Sequence, residues 1–183
     1  IGQEQQAWLT QQLQGSSATW QVLGQQVLMA RMEFPVSILQ HLNAENMDAQ
    51  AQQAAIAAIQ AYLTAKATAA QAPQLLTPEQ AALLDLSLNP KLGYNLDAWD
   101  GYPAAREAIL QTAHQLDKKL LVLAGDTHNA WHSDLMLLDG TTTVGEEVAT
   151  SSVSSPGFEE YLSGLDPAMI QQAFLGVIDS SKF

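Results

Sequence analysis

The run LLVLAG at residues 120–125 constrains this chain more than any other stretch. It follows Lys118-Lys119 and gives way at once to the polar sequence Asp126-Thr127-His128. A short, continuous apolar segment with such sharp borders reads as a fully buried strand. Around it, helical and strand patterns alternate and then strands run consecutively. Residues 3–14, QEQQAWLTQQLQ, place Trp8, Leu9 and Leu13 near one face at helical spacing, and Gly15-Ser16-Ser17 ends that helix. TWQVLGQQVLM, residues 19–29, suits a buried strand, with Gly24 hinting at a bulge or a close backbone approach. Pro103 opens an amphipathic helix through Ala113 that carries Ile109 and Leu110. WHSDLMLL and TVGEEVATSSV are strand-like and are separated by the turn signal Asp139-Gly140. Asp166-Pro167 starts a last helix. The pattern is α/β, with part of its sheet mixed or antiparallel.

One region departs from this alternation. From about Gln40 to Gln74 alanine and glutamine dominate, and Ile56, Ile59 and Leu63 recur at spacings of three and four. That spacing predicts one long helix, which reads as a surface insertion over 40–74. No heptad of large residues is sustained, so a coiled coil is disfavoured. Thr77-Pro78-Glu79 then supplies a helix start, with Thr77 as N-cap.

Charge narrows the function classes. The 183 residues carry 19 acidic and 7 basic side chains, a formal net charge of −12. A nucleic-acid binder needs a basic face to neutralise phosphates, and a polybasic membrane anchor needs the same. No apolar run approaches the roughly 18 residues of a spanning helix. The absence of cysteine excludes disulfides and thiolate metal sites. Ile1 is not preceded by methionine, and the first residues do not have the basic-then-apolar form of an export segment, so the chain is expected to be a mature or excised piece.

Three stretches carry candidate chemistry. In LLVLAGDTHNAWHSDL, Asp126 and His128 follow a strand that ends in Gly125, which gives the backbone freedom to turn. Strand alternation would put both side chains on one side, forming an oxygen–nitrogen ligand pair suited to iron, manganese or zinc. A loop aspartate beside a hydrogen-bonded histidine fits the same residues, and the spacing leaves both readings open. His132 reads as a structural or surface histidine, and His41 and His114 have no acidic or histidine partner at ligand spacing. In DAWDGYPAAREAIL the packed-loop reading has Trp99 as anchor, Asp100 as cap of the next helix and Arg106 paired with a carboxylate; Asp97 and Tyr102 complete the loop. In EEVATSSVSSPG no nucleophile elbow surrounds the serines, and no phosphate-cradling glycine loop occurs in the chain. The hydroxyls are expected to satisfy backbone groups at a strand end.

IGQEQQAWLTQQLQGSSATWQVLGQQV, DAWDGYPAAREAIL, LLVLAGDTHNAWHSDL and EEVATSSVSSPG, in that order, resemble the PhoD-like alkaline phosphatases of the calcineurin-like metallophosphoesterase superfamily. The resemblance covers most of the chain outside the Ala/Gln-rich stretch. It implies a four-layer α/β/β/α sandwich with a metal pair between the sheets, iron with calcium in the first instance and manganese or zinc as alternatives. It also implies phosphate esters as substrates and a periplasmic or extracellular location. The Gly-Asp-x-His motif falls on Asp126 and His128, which the resemblance makes metal ligands. The family's earlier ligand motifs precede the segment matching Ile1, so residues 1–183 are expected to be the C-terminal part of the phosphatase domain. Such a part would hold some of the active site and turn over little substrate alone. IDSSKF at the end resembles the beginning of a further family strand.

Two other readings stand beside this one. A phosphodiesterase of the same fold is not separated from a monoesterase by these residues. A non-enzymatic module would use the Ala/Gln helix as its contact surface and show no metal dependence. Self-association through exposed sheet surface is expected under the phosphatase reading as well.

Overall fold

The computed structural model describes residues 1–42, 48–157, 167–179 and 182. They fall into two compact units: residues 1–32 with 95–157 and 180–183, and residues 33–94 with 158–179.

The first unit contains helix α1 (Gln3–Gly15) and strand β1 (Trp20–Gly24), and its sheet and remaining helix come from the later segment. With the elements numbered in chain order, β2 is Glu33–Pro35, α2 Val36–Leu42, α3 Ala49–Gln71, α4 Pro78–Leu84 and β3 Lys91–Gly93. They are followed by α5 (Pro103–Gln115), β4 (Lys119–Ala124), β5 (Trp131–Met136), β6 (Thr143–Ala149) and α6 (Pro167–Val177). The first unit's four-stranded sheet runs in the order β1-β4-β6-β5. β1, β4 and β6 are parallel and β5 is antiparallel to β6. The mixed α/β sheet expected from the sequence is therefore present.

One face of this sheet is sealed. Arg106, Ile109, Leu110 and Ala113, spaced as one stripe of α5, are all buried. Ile109, Leu110 and Ala113 pack with Met29, Trp99, Leu120, Val122 and Leu135 into one core, which Leu9 of α1 and Leu23 of β1 flank. The other face is not sealed: Val22 is 59% exposed and Leu123 44%. The expectation of a fully buried strand at 120–125 is thereby corrected, because alternate residues of β4 face the helices while the rest do not. β1 is likewise an edge strand with Trp20 and Val22 exposed.

β1 is also shorter than expected. It stops at Gly24, where the space a Cβ would fill is open, so this glycine marks neither a bulge nor a close approach. Beyond it, the Met29 and Ala30 N–H groups turn from any strand partner to the carboxylate of Glu147. The hairpin between β5 and β6 forms at the expected turn, with Gly140 at a φ of 69° and Asp139 accepting from the Thr141 and Thr142 N–H groups.

In the second unit the Ala/Gln-rich stretch divides instead of forming one helix from 40 to 74. α2 ends at Leu42, and α3 begins afresh behind Asp48, whose side chain accepts from the Ala51 N–H at 2.8 Å. Pro73 lies just past its end. α3 is not a bare surface helix, since Ala55, Ile59, Tyr62 and Ala65 are buried. Lys66 donates to the Gly176 carbonyl at 2.7 Å and pairs with Asp179, which also meets Lys91. Phe34 of the β2–β3 ribbon meets Phe174 of α6 edge-on at 5.9 Å. Thr77 caps α4 as expected, in a reciprocal box with Gln80. The last helix begins at Pro167; Asp166, and Ser180, Ser181 and Phe183 of the terminal IDSSKF, lie outside the described residues.

Gly145 has no room for a side chain, because a Cβ there would collide with the backbone carbonyl of Leu120 on the neighbouring strand. Gly145→Ala is expected to cost about 2 kcal/mol of stability, the scale of overpacking against unyielding backbone. Urea denaturation measures it; an unchanged midpoint would contradict the packing of β4 on β6.

Candidate active-site bend

Beyond Ala124 the chain leaves β4 and enters an irregular bend, residues 125–130. Asp126 and His128 both have left-handed backbones, with φ of 74° and 64°. Each such residue costs on the order of 1 kcal/mol or more without the freedom of glycine. The turn is thus carried by the two candidate ligands and not by Gly125, and strand alternation does not govern where their side chains point. Both expectations from the sequence are corrected on this point.

The strain is held by bonds from both neighbouring strands. The Gly125 N–H donates to the Gln26 carbonyl at 3.2 Å, just past β1. The Thr150 N–H donates to Ala124 and the Ser152 N–H to His128, both at 3.1 Å, just past β6. Within the bend, the Thr127 N–H donates to Gly125 and the Thr127 hydroxyl accepts from the Trp131 indole at 3.0 Å. The bend therefore sits at the carboxyl ends of three parallel strands, where open α/β sheets place ligands.

His128 is exposed, and its Nδ1 lies 2.8 Å from the Pro156 carbonyl. A carbonyl only accepts, so Nδ1 carries the proton and the neutral ring keeps its lone pair on Nε2. A backbone carbonyl behind one ring nitrogen is the support that metal-ligating histidines use. Asp126, two residues earlier in the chain, is exposed as well. The chemistry of this pair, a carboxylate and an Nε2 imidazole, fits a first-row metal. Among the described residues no third His, Cys, Asp or Glu joins them in a metal-holding group.

The other sequence candidates have structural roles. His132 Nε2 meets Glu146 at 2.9 Å on the surface of the β5–β6 pair, as a surface histidine would. Hydrogen bonds from His132 and then Lys182 hold the Glu146 carboxyl below its ordinary range. His41 contacts Gln40, and His114 is exposed at the end of α5. Trp99 anchors its loop as expected, buried with its indole donating to Gln25 at 2.7 Å. Asp100 does not cap α5: it accepts from the Met32 N–H at 3.0 Å. Arg106 donates to the Met29 and Met136 carbonyls, at 2.6 and 3.0 Å, and its expected pairing with a carboxylate is replaced by these bonds. The Thr150 and Ser152 hydroxyls donate to the Ser151 and Ser155 carbonyls, the backbone role expected of them.

Glu147 escaped the sequence reading. It is completely buried and accepts from the Met29 and Ala30 N–H groups at 2.7 and 2.8 Å, with Gln25 at 3.4 Å. Burial pushes its carboxyl above the ordinary range, against the pull of these donors and of Arg106. Burial and then Arg31 lower Arg106 in turn, while Asp100, Glu107 and Glu147 oppose them, and the guanidinium stays charged. A signal was available: Glu146 and Glu147 are adjacent in a strand, so one of them must face the core. Beside this network, a cavity of about 390 Å³ opens among Leu9, Leu23, Val27, Trp99, Tyr102 and Ile109, with Gln26 on its wall.

Because the folded-state value of Glu147 is raised, its contribution to stability is complete below the ordinary glutamate range and is lost as pH rises through the elevated value. Glu147→Gln removes that titration. Urea midpoints measured from pH 4 to pH 8 are expected to fall with pH more steeply in the unsubstituted chain than in the variant across the window just above about 4.3. Parallel curves would contradict the buried carboxyl.

Comparison with known proteins places the chain in a family. The family model for PhoD-like phosphatase matches residues 1–181. Alkaline phosphatase D of Bacillus subtilis (strain 168) is 26% identical over 161 residues, covering 86% of this chain and 19% of that protein. A solved structure described as "Structure of PhoD" superposes with a TM-score of 0.54 at 22% identity, covering 100% of this chain and 25% of the other. The chain thus spans about a fifth of the curated relative and a quarter of the solved one, and the likeness to the latter shows the fold. With the family model matching nearly its whole length, the chain belongs to the PhoD-like phosphatases.

Proposed function

We propose that this chain carries part of the active site of a metal-dependent phosphoester hydrolase of the alkaline phosphatase type, with Asp126 and His128 as metal ligands. The observation that carries the reading is His128, turned by a left-handed backbone and backed by the Pro156 carbonyl so that Nε2 is its free nitrogen. Asp126 supplies the hard oxygen donor two residues away. A metal pair, iron with calcium or alternatively manganese or zinc, supplies the positive charge that phosphoryl oxygens require during hydrolysis. The chain's own contribution is positional. Bonds from Gln26, Thr150 and Ser152 keep the bend from relaxing, and the Pro156 carbonyl holds the imidazole proton on Nδ1. An imported cation also explains how a chain of net charge −12 approaches an anionic ester.

Residues 1–183 in this reading form the C-terminal part of a metallophosphoesterase domain, with 40–74 as a helical insertion and a periplasmic or extracellular location. The unsealed sheet face bearing Val22, Leu123 and Val148 supports a second sheet packing there, in a four-layer α/β/β/α sandwich. In its absence the same face would promote self-association. With two ligands on the described residues, the chain alone would turn over phosphate esters slowly or not at all.

Titration with Mn²⁺, followed by water-proton relaxation, tests the ligand assignment. The Asp126→Ala/His128→Ala variant is expected to bind at least about tenfold more weakly than the unsubstituted chain. Equal binding by the two would overturn it.

A further inference from the structure

We infer that Glu147 is a positioning residue for the Asp126–His128 bend, acting through the segment from Gln25 to Ala30. The inference rests on the reading of that bend as a metal site. Replacing this buried carboxylate by an apolar side chain would leave the Met29 and Ala30 N–H groups without their acceptor inside the core. Burying a carboxylate is itself costly, and packing alone would be served by a leucine. Its placement is explained by what it grips.

Glu147 holds the segment at both ends: Gln25 donates to it from one side, and the Met29 and Ala30 N–H groups from the other. Arg106 clamps the same segment through the Met29 carbonyl, and Trp99 holds the Gln25 amide oxygen. Between those grips lies Gln26, whose carbonyl accepts the Gly125 N–H. Gly125 directly precedes Asp126. The strand that carries Glu147 also runs on to Thr150 and Ser152, whose N–H groups hold Ala124 and His128. The buried carboxylate thus couples the two arms that meet on the bend, one from β1 and one from β6. Glu147 touches neither metal nor substrate, and its role is to keep two left-handed residues in place.

The test uses the whole 183-residue chain and two readouts: Mn²⁺ affinity by water-proton relaxation, and amide hydrogen exchange by NMR. In Glu147→Gln, Gly125 is expected to exchange at least about tenfold faster, while Leu135 in the β5–β6 ladder keeps its rate; Mn²⁺ binding weakens about tenfold. A uniform rise in exchange across the sheet with unchanged Mn²⁺ affinity would show a purely structural residue and overturn the inference. Unchanged exchange at Gly125 would overturn it as well. If Glu147→Gln does not fold, Gln25→Ala carries the test, with a severalfold acceleration at Gly125 expected and no acceleration overturning the inference. Should the unsubstituted chain bind Mn²⁺ no better than Asp126→Ala/His128→Ala, the metal reading fails and the inference falls with it. Should that pair differ while Glu147→Gln binds like the unsubstituted chain, the inference alone fails.

Discussion

The carboxylate of Glu147, sealed from water between β6 and α5, is the contact on which the first unit depends. Two backbone N–H groups that a longer β1 would have spent on a neighbouring strand are given to it instead. That choice ends β1 at Gly24 and folds residues 25–30 down onto the sheet's helical face, where Met29 and Ala30 enter the core. Arg106 completes the arrangement by donating to the Met29 and Met136 carbonyls, which ties the same segment to β5. Buried polar networks of this kind fix one geometry because every alternative leaves a donor or acceptor unmatched.

The bend at residues 125–130 inherits that rigidity. Two consecutive-but-one left-handed residues are an unfavourable local state, and they persist because strand ends on either side bond to the backbone around them. The same bonds leave Asp126 and the Nε2 edge of His128 exposed at the carboxyl ends of the parallel strands. In the proposed reading, these donors would be presented to a cation on a frame that resists being pulled out of place.

Much of the site was legible from residue order. The apolar run before Gly125, the Asp-x-His spacing and the anchoring role of Trp99 follow from local pattern, and the ordered motifs carried the family resemblance that the comparison with known proteins then supported. What escaped were interactions between residues far apart in the chain. Asp100 reaches the Met32 N–H instead of its own helix, Arg106 reaches Met29 and Met136, and Pro156 reaches His128 across 28 positions. No periodicity marks such partners. The break between α2 and α3 was hidden differently: alanine and glutamine favour helix everywhere, so composition was silent about where one helix stops, whereas the Asp48 cap shows where the next begins.

By itself the sequence determined the α/β class, the helical stripes, the turn at Asp139-Gly140 and the identity of the candidate ligands, because each depends on neighbours within a few positions. Tertiary structure alone decided that β1 stops early, that Glu147 and not Glu146 is the entombed glutamate, and that Asp126 and His128 adopt left-handed backbones. The physical reason is common to all three. Each is locally unfavourable, and becomes the stable state only when hydrogen bonds from distant strands outweigh the local cost.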